Sequence, residues 1–448
     1  MAADLSPEAK PAPGTILAVG QRSTGGRIEP LTPALPGEPQ LRWQSRASTV
    51  DEIERELGRL WAQPPTVADP TYEGGLRQAA ARTRVMNLVV VAGDQETGAR
   101  TAETISRLTG RHPSRTLVVL LADPDGPPWL DGRIQAHCML PRPDAAEMCT
   151  EMIFLTAGGE TGRHLAALVT PLLVHDLPVT TWWPGEPPLR SEPAAELIEQ
   201  TDRLVVDGST WTSDGLGRLG QLAGLYDAHP RLAIRDFAFL RQSRWREAIA
   251  TLFDLEDFRP YLGHLRRLSV AYATRDGTGA PGSTNVVKPL YHVAWMASRL
   301  GMEAAVPLAP VATRGPAPRL RPGETPPLHR GLAARLRDAH GSEVGVVIRP
   351  VRSAAPAGTT QRVEILAERR GSELRADVTA EAENVSVHAW LDGVEALNRT
   401  FKAPRRTDID LLSEALEGVG PDAVAQGTLR MAAWLAGANP AGAAKEHP

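Results

Sequence analysis

Residues 85–122 read VMNLVVVAGDQETGARTAETISRLTGRHPSRTLVVLLA, and this stretch decides the fold. Val85 to Ala92 is a run of apolar, β-branched residues ended by Gly93 and Asp94, which predicts a buried strand. Residues 97–109 follow with helical spacing and close on Gly110. Thr116 to Ala122 (TLVVLLA) is a second apolar run. Two strands of this kind joined by one short helix predict parallel pairing, with both sheet faces covered.

The same rhythm extends outward. Upstream, Ser48 or Thr49 caps a predicted helix with Val50, Ile53, Leu57, Leu60 and Trp61 on one face. Downstream, Arg133 to Leu140 alternates Ile134, Ala136, Cys138 and Leu140 inward, and Cys149 to Ala157 reads as a further strand. A helix over 161–174, a strand Val179 to Trp183, an acidic helix over 193–200, a strand Arg203 to Asp207 and a helix over 213–228 complete a layered α/β pattern, with room for antiparallel strands at its edges.

The second half loses that rhythm. It carries predicted helices over 243–253 and 289–300 around a strand at 265–274. Seven prolines within 303–330 predict an exposed loop. Four strands at 343–349, 361–369, 373–379 and 385–391 predict an antiparallel meander, and helices over 407–418 and 422–436 close the chain. The expected organisation is a disordered tail over 1–40, a largely parallel α/β domain over 41–230, an α+β domain with an antiparallel sheet over 231–436, and a tail over 437–448.

Composition narrows the function classes. The chain has 448 residues, 42% hydrophobic and 23% charged, which suits two or three folded cores. Its formal net charge is -4, so no broad basic field is available for nucleic acid. All but four of its 49 basic residues are arginine, an excess that codon bias explains as readily as function. Neither a charged-then-apolar leader nor an apolar run of spanning length is present, which predicts a cytoplasmic protein with no membrane partner. The two cysteines, Cys138 and Cys149, are too few for a cysteine zinc site. They are expected to be small, buried, reduced residues, with a redox pair as the alternative.

No motif carries catalytic chemistry. Gly215-x-Gly217-x-x-Gly220 spells a dinucleotide fingerprint, but the preceding strand ends near Asp207, so the glycines fall within a helix rather than in the tight turn that phosphate binding needs. No phosphate loop, nucleophile elbow or zinc helix is present, and neither catalytic, cofactor-binding nor metal residues are expected. His292 shares a helical face with Trp295, Met296 and Arg299 and reads as a packed histidine. Two segments stand out as partner-binding candidates. His112-Pro113-Ser114-Arg115 places a five-donor guanidinium in a loop before a strand. Trp182-Trp183-Pro184-Gly185 ends a strand on two tryptophans whose side chains point to opposite faces, so that one is expected to be exposed. Trp245 and Arg246 on the 243–253 helix form a further candidate.

Taken together with CTEMI (149–153), PLLVHDLPVTTWWPG (171–185), RLVVD (203–207), DFAFLRQSRWREAIATLFD (236–254), WMASRLG (295–301) and LLSEAL (411–416), these segments resemble the glucose-6-phosphate dehydrogenase assembly protein (OpcA) family from about residue 44 to 436. The resemblance implies a non-catalytic factor that binds that dehydrogenase and promotes its active oligomer in the oxidative pentose phosphate pathway. It brings no catalytic residue and no cofactor with it. It also implies cysteine-based redox control in cyanobacterial members, for which this chain offers only two thiols. The alternatives are an α/β enzyme acting on a sugar phosphate and a nucleotide-binding regulator.

Overall fold

The computed structural model describes residues 26–27, 37–62, 66–68, 76–78, 84–123, 125–140, 148–213, 215–275, 277, 284–314, 328–381 and 383–438. The tails expected over most of 1–40 and 439–448, and the centre of the proline-rich segment at 315–327, lie outside the described residues.

In chain order the first half contains β1 (Gly26–Arg27), β2 (Gln40–Ala47), α1 (Val50–Ala62), β3 (Thr66–Ala68), β4 (Leu76–Gln78), β5 (Met86–Ala92), α2 (Gln95–Ser106), β6 (Ser114–Leu121), β7 (Trp129–Met139) and β8 (Met148–Gly158). The short helices α3 (Glu160–Arg163) and α4 (Leu165–Val169) lead to β9 (Val179–Trp183), α5 (Glu192–Glu199), β10 (Arg203–Val206), α6 (Leu216–Ala228) and β11 (Ala233–Asp236). The second half contains α7 (Phe237–Leu240), α8 (Ser243–Phe253), β12 (Leu265–Thr274), α9 (Val287–Arg299), β13 (Glu303–Arg314), β14 (Leu328–Arg337), β15 (Glu343–Arg352), β16 (Thr360–Arg369), β17 (Ser372–Ala380), β18 (Asn384–Leu391), β19 (Val394–Lys402), α10 (Asp408–Glu417) and α11 (Ala423–Leu435).

The first sheet runs β1-β2-β7-β8-β6-β5-β9-β10-β11. From β8 to β11 every pairing is parallel, while β1, β2 and β7 add an antiparallel edge. All seven residues of β5 and all five of β9 are buried, as apolar runs in the middle of a two-sided sheet should be. Taken in chain order, the six parallel strands lie 3-2-1-4-5-6, the order of the doubly wound dinucleotide-binding fold.

The second sheet runs β13-β14-β15-β12-β16-β17-β18-β19, antiparallel except where β12 lies parallel to β15. Two expectations are corrected here. The strands at 343–352 and 360–369 are not neighbours, because β12 inserts between them and completes both ladders. The 303–330 segment is not a loop throughout: its ends are β13 and β14, with Pro307 and Pro310 on the outermost strand, where a missing N–H costs no ladder bond. The helix expected over 161–174 is instead broken at His164, whose backbone is non-helical (φ -105, ψ 59), and finishes as a 3-10 turn over Thr170–Leu172.

Helix α9 joins the two halves. Val287, Leu290, Tyr291, His292, Val293, Ala294, Met296 and Ala297 are all buried, so it is apolar around most of its circumference. It packs on the second sheet through β12, β15 and β16, while α11 packs on both α9 and α6 of the first half. One hydrophobic core therefore runs from Trp43 to Leu435.

Candidate functional site

In open sheets of this order, ligands bind beyond the carboxyl ends of the strands where the winding reverses, here between β5 and β9. The turn after β5 is Gly93-Asp94. Asp94 is the N-cap of α2, and its carboxylate accepts from Thr97 N at 2.7 Å and Thr97 Oγ1 at 3.0 Å. The bond from Thr97 N holds its pKa below the ordinary value. An anion thus already occupies the helix terminus that would receive a pyrophosphate. Gly98 is where α2 packs on the sheet: a Cβ there would sit 3.5 Å from Val118 and 3.6 Å from Ala92. By contrast, Gly215 with its left-handed φ of 78° caps α6, and Gly217 lies inside that helix, two strands away from this crevice.

Further along the same sheet edge, Asp207 follows β10 and Asp236 ends β11. Arg241 Nη1 reaches both Asp207 oxygens at 2.7 Å. Asp236 Oδ1 accepts from Gly208 N and Ala238 N, each at 2.8 Å, and Oδ2 accepts from Tyr291 Oη at 2.7 Å. Burial first, and then the Asp207 charge, push the Asp236 pKa up to about 6. Both its oxygens are already engaged, so the cluster pins α7 and α9 to the first sheet. Asn285 adds a third tie, donating to Gly208 O at 2.7 Å and Trp211 O at 3.2 Å. Arg203 at the start of β10 and Arg235 within β11 donate to the carbonyls of Gly418 and Gly420 and so hold the α10–α11 turn. A cavity of about 260 Å3 lies between β11 and these helices.

Four of the six sequence candidates are buried. Arg115 is in β6, not in a loop, and donates from Nε to Glu151 Oε2 at 2.6 Å and from Nη1 to Leu172 O at 2.9 Å. Trp182 and Trp183 are 3% and 5% exposed, which corrects the expectation of an exposed tryptophan. Their strand is central, so residues on both faces are covered; Trp182 meets the Phe237 ring at 5.8 Å, where the second half begins. Trp245 is buried against His292 at 5.1 Å between ring centroids. Arg246 is half-buried, donates to Phe239 O at 2.6 Å and lies over the Phe239 ring. Its desolvation lowers its pKa to about 10. His112, half-buried, bonds Ser413 of α10 at 3.1 Å, beside Arg111 at 3.0 Å. Hence the candidates tie one layer to the next instead of forming a single outward patch.

His292 is the packed histidine that its spacing predicts, fully buried with neither ring nitrogen hydrogen-bonded. The cysteines are buried as expected but not reduced: Cys138 and Cys149 face each other across β7 and β8 and form a disulfide. Sequence reading missed Glu151, Asp94 and the Asp207–Asp236 cluster. Asp94 had a signal, an acid directly after a buried strand and before a helix.

Two family models match the chain in succession: the glucose-6-phosphate dehydrogenase subunit N-terminal domain over residues 105–223 and the corresponding C-terminal domain over 232–429. The chain belongs to the OpcA family. The OxPP cycle protein OpcA of Synechocystis sp. is 24% identical over 204 residues, 45% of this chain and 40% of its own length. That of Synechococcus elongatus is 24% identical over 188 residues, 42% of this chain and 40% of its own length. The chain thus matches about two fifths of the length of these OpcA relatives. Among solved structures, an NAD-binding oxidoreductase from Klebsiella pneumoniae aligns at a TM-score of 0.42 and 11% identity, covering 81% of this chain and 97% of its own. Among the described residues, no helix is long and apolar enough to cross a membrane, and no group of three or more His, Cys, Asp and Glu side chains could hold a metal ion.

Proposed function

We propose that this chain is a non-catalytic partner of glucose-6-phosphate dehydrogenase, binding the enzyme and promoting its active oligomer in the oxidative pentose phosphate pathway. The observation that carries the reading is the succession of two OpcA family models along both halves of the chain. The site geometry supports it: the sheet has the dinucleotide-binding order, yet the helix terminus that would take the pyrophosphate is filled by Asp94. The activating mechanism is preferential binding to one conformation or oligomer of the dehydrogenase, which enriches that state by the ratio of its affinities. Because Arg115, Trp182, Trp183 and Trp245 are buried, they are poorly placed to contact a partner directly, while His112 and Arg246 keep part of their surface.

The test is to mix the purified chain with the dehydrogenase of the same organism and follow size and turnover together. The expected result is a complex of both proteins and faster NADP reduction per dehydrogenase, with none by the chain alone. Glucose-6-phosphate-dependent NADP reduction by the chain alone, or no complex at micromolar concentrations, overturns it.

A further inference from the structure

A cleft of about 430 Å3 opens between the first turns of α8 and α9 on one side and the ends of β16, β17 and β18 on the other. Five of its charged lining residues are basic and one, Glu381, is acidic. Three of the five are already paired: Arg241 with Asp207 and Asp408, Arg406 with Glu414, and Arg244 with Glu247. Lys288 and Arg405 have no ion-pair partner among the described residues. Lys288 is half-buried in the first turn of α9, and its Nζ has only Thr359 Oγ1 at 3.4 Å. Burial lowers its pKa to about 8, with the nearby Arg241 and Arg405 charges acting in the same direction and the Asp207 charge, itself paired with Arg241, acting against them.

The floor adds polar groups of a different kind. Gln242 and Thr360 are 3% and 6% exposed, and Gln242 Oε1 and Thr360 Oγ1 have no hydrogen-bond partner. The Gln242 amide donates from Nε2 to Lys288 O at 2.6 Å, which fixes its orientation and leaves the oxygen as an acceptor without a donor. Buried polar atoms of this kind are costly unless something satisfies them. The loop between β15 and β16 is shaped for close approach at Gly358, with φ +79 and Asn285 O only 2.5 Å from where a Cβ would stand.

We infer that this cleft is a binding site for a small phosphorylated polyol or sugar, its phosphate held by Lys288 and Arg405 and its hydroxyls by Gln242 and Thr360. The anion relieves the like-charge repulsion around Lys288, and ligand hydroxyls supply the donor that Gln242 lacks. An occupant bridges the second sheet, the first turns of α8 and α9, and the 403–406 segment that leads to α10. The assignment concerns the isolated chain and does not depend on the dehydrogenase reading.

Calorimetry on the purified full chain tests it, with glucose 6-phosphate, glycerol 3-phosphate and inorganic phosphate as probes. At least one phosphorylated polyol is expected to bind about tenfold or more tightly than inorganic phosphate. Arg405→Ala, at an exposed position, is expected to weaken that binding about tenfold, and Thr360→Val to narrow the gap to inorganic phosphate. Lys288→Met, with its thermal transition measured alongside, is expected to abolish binding. No heat with any probe, equal affinity for all three (an adventitious anion only), or an unchanged affinity in Arg405→Ala overturns the assignment.

Discussion

Arg115 in β6 donates its Nε to Glu151 Oε2 on β8 across 2.6 Å, and Glu151 has no exposed surface. Arg84 adds a second cation at 3.6 Å, and Trp61 donates to the other carboxylate oxygen. This is a buried ion pair within the parallel sheet, where removing Arg115 leaves the Glu151 carboxylate with only the more distant Arg84 cation and the Trp61 donor. Arg115→Met is therefore expected to cost about 3 kcal/mol of stability, read from the urea midpoint. A variant that binds the dehydrogenase poorly while unfolding at the wild-type midpoint would return Arg115 to the interface.

Trp182 and Trp183 make a parallel case. Both are buried on opposite faces of β9, so each substitution by alanine opens a large cavity. Trp182→Ala and Trp183→Ala are each expected to cost about 3–5 kcal/mol, with any loss of partner binding following the loss of folded protein. One variant keeping its thermal transition while the other loses it would show that a face of β9 is open in solution.

The parallel half was legible because its strands are buried on both sides and so spell near-continuous apolar runs: β5, β6 and β9 need no tertiary information to be found. The second sheet was less legible. β13 is mostly exposed and carries two prolines, so its residues spell a loop, and only pairing with β14 makes it a strand. β19 was missed for a related reason, since nearly all of its residues face solvent. The site residues failed differently. Trp182 is at a strand end in sequence, but Phe237, more than fifty positions on, covers it, and no local pattern announces that.

His292 gives a pH test. Burial, then the Arg246 and Lys288 charges, depress its pKa to about 3 from the ordinary 6.5. The unfolded chain takes up a proton near pH 6.5 that the folded chain refuses, so stability is present above that pH and is lost as pH falls toward about 3. His137, depressed to about 4 chiefly by burial, acts in the same direction. Asp236, raised to about 6, opposes both, because its contribution is lost as pH rises through that value. His292→Leu is expected to leave stability at pH 7 nearly unchanged, since neither ring nitrogen has a partner to lose. Between pH 6 and 4 it should remove up to about 1.4 kcal/mol per pH unit of acid destabilisation. Urea unfolding across that range checks it; an unaltered slope would mean that His292 titrates normally.

The Cys138–Cys149 bridge closes a loop with a sequence separation of 11. Chain-entropy reasoning assigns such a closure about 3 kcal/mol at most. Reductant is expected to lower the urea midpoint of the wild-type chain and to leave that of the Cys138→Ala, Cys149→Ala double variant unchanged. Equal midpoints with and without reductant in the wild type would show that the bond contributes nothing to folding.

The last prediction concerns the crevice between β5 and β9. Six parallel strands in the dinucleotide-binding order create a place for a pyrophosphate, but binding there needs free amides at the α2 terminus and a glycine turn that lets backbone approach the phosphates. Neither requirement is met. Asp94 already accepts from Thr97 N at 2.7 Å, and Gly93 does not adopt the left-handed conformation. A phosphate placed about 4 Å from that exposed carboxylate would meet a repulsion of about 1 kcal/mol in water, roughly fivefold in affinity, on top of the lost amide. Calorimetry with NADP and with ATP is therefore expected to give no heat of binding at this crevice at millimolar nucleotide. Asp94→Asn keeps a capping oxygen while removing the charge, so it should fold normally. It should still fail to bind, because Gly93 is not left-handed and no second glycine follows it before α2. Micromolar NADP binding by the wild-type chain that Asp94→Asn tightens would place a nucleotide at α2 after all, and the family role would then have to be read as nucleotide-dependent.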